Sequence, residues 1–118
     1  MKKLFEVKDI DRKVYEEKIR DFLPDKIIDI HTHVWLKEFK KKQKNRVVKW
    51  PSRVADENPV EHLIETYRLM LPGKKVTPLI FNSPSKDFDT DKLNAYVARS
   101  AKKYKLPSLM LCRPEWSA

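Results

Sequence analysis

Glycine and cysteine are almost missing from this chain: Gly73 and Cys112 are the only ones among 118 residues. A lone cysteine excludes an internal disulfide and suits a reducing compartment. A lone glycine, far from the turn after the first apolar run, excludes the Gly-rich phosphate-cradling loops of dinucleotide-binding and P-loop folds. No apolar run approaches the ~20 residues of a membrane-spanning helix, and Met1 to Asp11 lacks the apolar centre of a secretory signal. A cytoplasmic setting is therefore expected. Positive charge, by contrast, is abundant: 26 Lys+Arg against 17 Asp+Glu give +9, alongside 41% hydrophobic residues, enough for a modest core in one domain.

Histidine is scarce too, and two of the three occur within Lys26 to Trp35, KIIDIHTHVW. Ile27, Ile28 and Ile30 form a short β-branched run after Pro24, which predicts a buried strand rather than a helix. Alternation along that strand puts His31 and His33 on one face, with Cα atoms about 6.6 Å apart at roughly 3.3 Å per residue, and points Thr32 the other way. Two imidazoles so placed can meet at one cation. By the same alternation Asp29 is expected on the histidine face, accepting a ring N–H and fixing the tautomer. His62 is expected to face solvent, opposite the apolar stripe of its helix.

Around this strand the chain alternates element types. Asp11 to Leu23 carries Val14, Tyr15, Ile19 and Phe22 at helical spacing. Asn58-Pro59-Val60-Glu61 predicts a helix start with Asn58 as N-cap, and Val60, Leu63, Ile64, Tyr67 and Leu71 continue as one stripe until Pro72-Gly73. Val76 to Phe81 is a second strand, with Pro78 marking an irregularity. Thr90 is expected to cap a third helix bearing Leu93, Tyr96, Val97, Ala101 and Tyr104. Leu109 to Cys112 is a third strand, in which Cys112 is a small buried residue. Residues 1–24 thus read as a helical extension and 25–118 as α/β, strand-helix-strand-helix-strand, with a parallel sheet. With the Gly-rich nucleotide fold excluded, the remaining architecture that opens this way is a (β/α)8 TIM barrel, whose chemistry sits on the loops after each strand.

IIDIHTHVW resembles the first-strand signature of the amidohydrolase superfamily, metal-dependent barrel hydrolases. NPVEHLIETYRLM followed by VTPLIF is similar to the first helix and second strand of that fold. LNAYVARSAKKYKLPSLMLCRPE resembles the amidohydrolase-related branch that includes aminocarboxymuconate-semialdehyde decarboxylase-like enzymes. The resemblance implies that His31 and His33 are metal ligands for zinc, with manganese as the alternative, and that the other ligands belong to later strands. A barrel takes about 250 residues, so the chain is expected to be an N-terminal portion, inactive alone, of an enzyme able to form homo-oligomers. The expected activity is hydrolysis of an amide, ester or lactone, or metal-assisted decarboxylation; the sequence leaves that choice open. A barrel-like phosphoesterase family also opens with H-x-H but places an acidic residue soon after, where this chain offers Glu38 among lysines.

The basic stretch KEFKKKQKNRVVKW supports three readings: a solvated insertion, a lid drawing an anionic small molecule to the metal, or a nucleic-acid-binding module using the Lys-rich loop 37–49 with interleaved aromatics. For the lid, Trp35 and Arg113 are the expected substrate-binding residues, Arg113 through a carboxylate. Asn82 and Ser83 fall at the same mouth by position. No helix-turn-helix, zinc-finger or RNA-recognition motif supports the nucleic-acid reading.

Overall fold

A computed structural model, describing residues 6–42 and 53–116, makes the isoleucine-rich run strand β1, Lys26–Val34. The elements before and after it are helix α1 (Asp9–Val14, continuing as a π-helical turn over Tyr15–Ile19), a short 3-10 turn (Lys37–Phe39), helix α2 (Val60–Met70), strand β2 (Lys75–Asn82) and helix α3 (Thr90–Tyr104). Among the described residues this is a small α/β arrangement of three helices and a two-stranded parallel sheet, not closed into a barrel. No helix among them is long and apolar enough to cross a membrane.

Register explains which face is which. Lys26 to Asp29 pair with Lys75 to Pro78, and Thr32 to Val34 pair with Ile80 to Asn82, so β1 carries one extra residue between Asp29 and Thr32. Such a bulge shifts the alternation by one. It falls directly after the pair Asp29–Pro78, where a proline without an N–H interrupts the ladder at least cost. Pro78, Ile80 and Asn82 of β2 and Thr32 and Val34 of β1 are all buried on one side of the sheet. On that side Val34 and Ile80 join Val60 and Leu63 of α2 and Val97 of α3 in the core cluster. The other side carries His33 beside Phe81, and there Ile28 is 71% exposed.

Helix ends differ from the sequence expectation for identifiable reasons. Asn58 does not cap α2: its Nδ2 donates to the His33 carbonyl at 2.9 Å, its backbone exchanges hydrogen bonds with Trp35, and Pro59 occupies the cap position. The Val60 N–H, left without a cap, donates to the Tyr96 hydroxyl at 2.9 Å. Asp89 rather than Thr90 caps α3, its Oδ1 accepting from the Lys92 N–H at 3.1 Å. Its C-terminus is closed by Lys105 at φ 53°, left-handed backbone that a non-glycine residue adopts at a cost. α1 starts earlier than expected and leaves Phe22 85% exposed, while Tyr15 is buried and donates its hydroxyl to the Pro72 carbonyl at 2.6 Å.

The expected strand over Leu109–Cys112 is a correction. Pairing with β2 occurs earlier and is confined to a bridge at Ser108: the Ile80 N–H donates to Pro107 O and the Leu109 N–H to Ile80 O, both at 3.0 Å. Beyond it the Asn94 amide takes over, donating to Leu111 O at 2.8 Å and accepting from Leu111 N at 3.1 Å. A side chain on α3 thus supplies the bonds that a neighbouring strand would. Cys112, expected buried, is exposed.

Across the helix pair, Glu61 accepts from the Tyr104 hydroxyl at 2.5 Å and from the Lys103 ammonium at 3.4 Å. Chiefly because of the tyrosine bond, and with Lys103 adding to it, the Glu61 carboxyl titrates below its ordinary 4.5 despite opposing desolvation. A depressed folded-state value means the stabilisation is complete above about pH 5 and disappears as pH falls through that lower value. Replacing Tyr104 with phenylalanine is therefore expected to flatten the acid limb of a urea-midpoint against pH curve, by well under about 1 kcal/mol because the carboxylate is solvent-screened.

Candidate metal centre

His31 and His33 sit at the C-terminal end of β1, the rim at which open and closed parallel sheets bind ligands. The His33 ring packs edge-on against Phe81 with centroids 4.4 Å apart, and the His31 ring lies 5.5 Å from the same phenyl group. Phe81 thereby limits the orientations open to both imidazoles. The two Nε2 atoms are 3.2 Å apart. Two nitrogens each about 2.0–2.1 Å from a common tetrahedral ion would be separated by about 3.3–3.4 Å, so the pair, now in direct hydrogen-bond contact, would have to open by only about 0.1–0.2 Å and release the shared proton to hold one.

Tautomer follows from the partner on the other ring nitrogen. His33 Nδ1 lies 3.0 Å from the backbone oxygen of Asn82. A carbonyl only accepts, so Nδ1 carries the hydrogen and Nε2 keeps its lone pair facing His31. This is the outer hydrogen bond that metal-ligating histidines ordinarily make. Between them Thr32 faces the helices, donating its hydroxyl to Leu79 O at 2.6 Å.

Asp29 does not share the histidine face. The bulge turns it to the helix side, where Oδ2 accepts from the Tyr67 hydroxyl at 2.7 Å and Oδ1 accepts from the His31 backbone N–H at 3.1 Å. It touches backbone where a ring contact was expected. Burial first, then the bond to Asp29, pushes the Tyr67 hydroxyl well above its ordinary value, so it stays a donor. Neither Tyr67 nor Phe81 stood out in the sequence as more than a core residue.

Other candidates are placed as follows. The Trp35 indole N–H donates to Asp56 O at 3.0 Å, and its backbone bridges Asn58, so it pins the returning loop. Arg113 donates from Nε to Thr90 Oγ1 at 2.9 Å and borders a cavity of about 420 Å³ with Lys41, Lys86 and Trp116. The histidines do not line that cavity. Asn82 is fully buried; its Nδ2 donates to Asn94 Oδ1 at 2.8 Å, its side-chain Oδ1 is enclosed without a protein partner, and its backbone oxygen is the one that meets His33 Nδ1. His62, expected in solvent, is half-buried, and its Nδ1 is enclosed without a protein partner. Glu38 is exposed in the 3-10 turn. Of the Lys-rich loop 37–49, residues 43–49 lie outside the described residues; Lys40 pairs with Asp56 at 3.1 Å and lies over the Phe88 ring.

Among the described residues no group of three or more His, Cys, Asp or Glu side chains is arranged to hold a metal ion. The pair therefore offers two ligands of the three that a catalytic zinc ordinarily takes from protein. Compared with protein-family models, curated proteins and solved structures, the chain finds no match.

Proposed function

We propose that this chain supplies the opening strand-helix units of a metal-dependent hydrolase of the amidohydrolase kind, a (β/α)8 barrel when complete, with His31 and His33 as its first two metal ligands. The observation that carries the reading is the pair of Nε2 atoms 3.2 Å apart, one with its tautomer set by Asn82 O, at the C-terminal end of a parallel strand. The two parallel strands joined through α2, and the chain at Ser108 aligned parallel on the free edge of β2, are consistent with the start of such a barrel.

A divalent ion held there, zinc before manganese, would polarise a carbonyl oxygen and acidify the water it binds. The chain's own part is to hold the imidazoles: Asn82 O fixes His33 and Phe81 backs both rings. The remaining ligands and the proton-transferring carboxylate would come from strands outside these 118 residues. The substrate is a small molecule, and its reaction hydrolysis or decarboxylation. An anionic substrate draws no support from the cavity beside Arg113, where Asp89, Asp91 and Glu115 balance Lys41, Lys86 and Arg113 and where Arg113 already pairs with Glu115 at 3.9 Å.

Titration calorimetry with zinc tests the reading. The chain is expected to take up one equivalent near neutral pH, and the His31→Ala/His33→Ala variant none. Equal uptake by both would overturn it.

A further inference from the structure

Which way the histidines face is decided by the bulge. Before it, Ile27 and Asp29 pair with Val76 and Pro78 on the helix side; after it, Thr32 and Val34 pair with Ile80 and Asn82 on that same side. Strict alternation from Asp29 would carry His31 and His33 into the helix layer, among Val34, Ile80 and Val97. The extra residue sends them to the open side.

Two hydrogen bonds hold that extra residue in place. Asp29 Oδ1 accepts the His31 N–H, an amide that a bulge takes out of the regular ladder, and Asp29 Oδ2 is gripped by the Tyr67 hydroxyl from α2. The carboxylate thus links a helix in the core to the backbone of a histidine on the opposite face. Tyr67 itself packs against the core cluster, so its hydroxyl is delivered from a fixed ring.

We propose that Asp29 and Tyr67 are positioning residues: a clamp, across the thickness of the sheet, that locks the β1 bulge and so sets the spacing of the His31–His33 pair. The clamp rests on the metal reading for its purpose, but its action on the strand can be measured separately. In the full chain, Co²⁺ serves as the probe through its visible ligand-field bands, and NMR reports the His33–Phe81 ring contact and exchange of the His31 amide. Asp29→Ala is expected to weaken Co²⁺ binding by about 10–100-fold, the range for residues that orient metal ligands, and to change its band positions. Tyr67→Phe, which keeps the ring in the core, is expected to fall between wild type and Asp29→Ala. Asp29→Asn retains an acceptor for the His31 N–H and is expected to restore most of the affinity. A purely structural role would lower the melting temperature without moving the Co²⁺ spectrum or the ring contact.

The clamp is overturned if Asp29→Ala and Tyr67→Phe keep wild-type affinity, bands, ring contact and amide protection. Should wild type take up no Co²⁺, the metal reading fails, and the NMR signals decide the clamp. Loss of the His33–Phe81 contact with faster His31 exchange in Asp29→Ala sustains it, and unchanged signals overturn it.

Discussion

Zinc at one hundred times its dissociation constant should stabilise the wild-type chain by about 2.7 kcal/mol, raising its melting temperature by roughly 10 °C, and should leave His31→Ala/His33→Ala unmoved. The expectation comes from mass action: an ion that binds only where the two Nε2 atoms converge, 3.2 Å apart, binds the folded chain and not an ensemble in which they wander. Phe81→Leu separates the pair's geometry from mere possession of histidines. It keeps both ligands but removes the ring that backs them, and a smaller zinc-induced shift than wild type is expected. A thermal shift as large in the double-alanine variant as in wild type would locate the ion elsewhere and remove the ground for a metal enzyme.

The strand and the nearness of its two imidazoles are legible in the sequence, because side-chain alternation is a local property. The β-branched run Ile27, Ile28, Ile30 forms β1, and the i, i+2 spacing puts the two rings within reach of each other. Pro78 flagged an irregularity, and the register shift lies beside it. The consequence for Asp29 was not legible: a bulge moves every earlier residue to the other face, and this one is held by Tyr67, distant in sequence and indistinguishable there from any other residue of an apolar stripe.

Capping failed as a guide for a similar reason. Asn58 and Thr90 are good caps by residue type, but each is engaged by a tertiary partner, His33 O for Asn58 and Arg113 for Thr90. The third strand was misplaced because Asn94 satisfies the backbone of Leu111 from a helix, which no pattern along 109–112 announces. His62 was expected in solvent because the apolar stripe was centred between Leu63 and Ile64. The core uses Val60, Leu63 and Tyr67 instead and leaves Ile64 39% exposed, a rotation that brings His62 partly inward.

Ile80→Ala is expected to cost about 2–5 kcal/mol, the range for truncating a fully buried aliphatic side chain, and to leave most of the chain unfolded in mild urea. Ile80 is 0% exposed and belongs to the cluster that joins both strands to both of the packed helices. Its backbone pairs with Thr32 on one edge, while its N–H and carbonyl bind Pro107 and Leu109 on the other. Collapse around the missing atoms would therefore have to drag β1 and the 107–109 segment together, and so a large cavity should persist. Small domains have only about 5–15 kcal/mol in total, so a loss of this size is a substantial fraction. Urea unfolding followed by circular dichroism checks it: the midpoint should fall with the slope unchanged. The same truncation at Ile28, 71% exposed on the open face, should change the midpoint little. If Ile28→Ala proved as costly as Ile80→Ala, the open side of the sheet would be covered in solution, and the histidines with it.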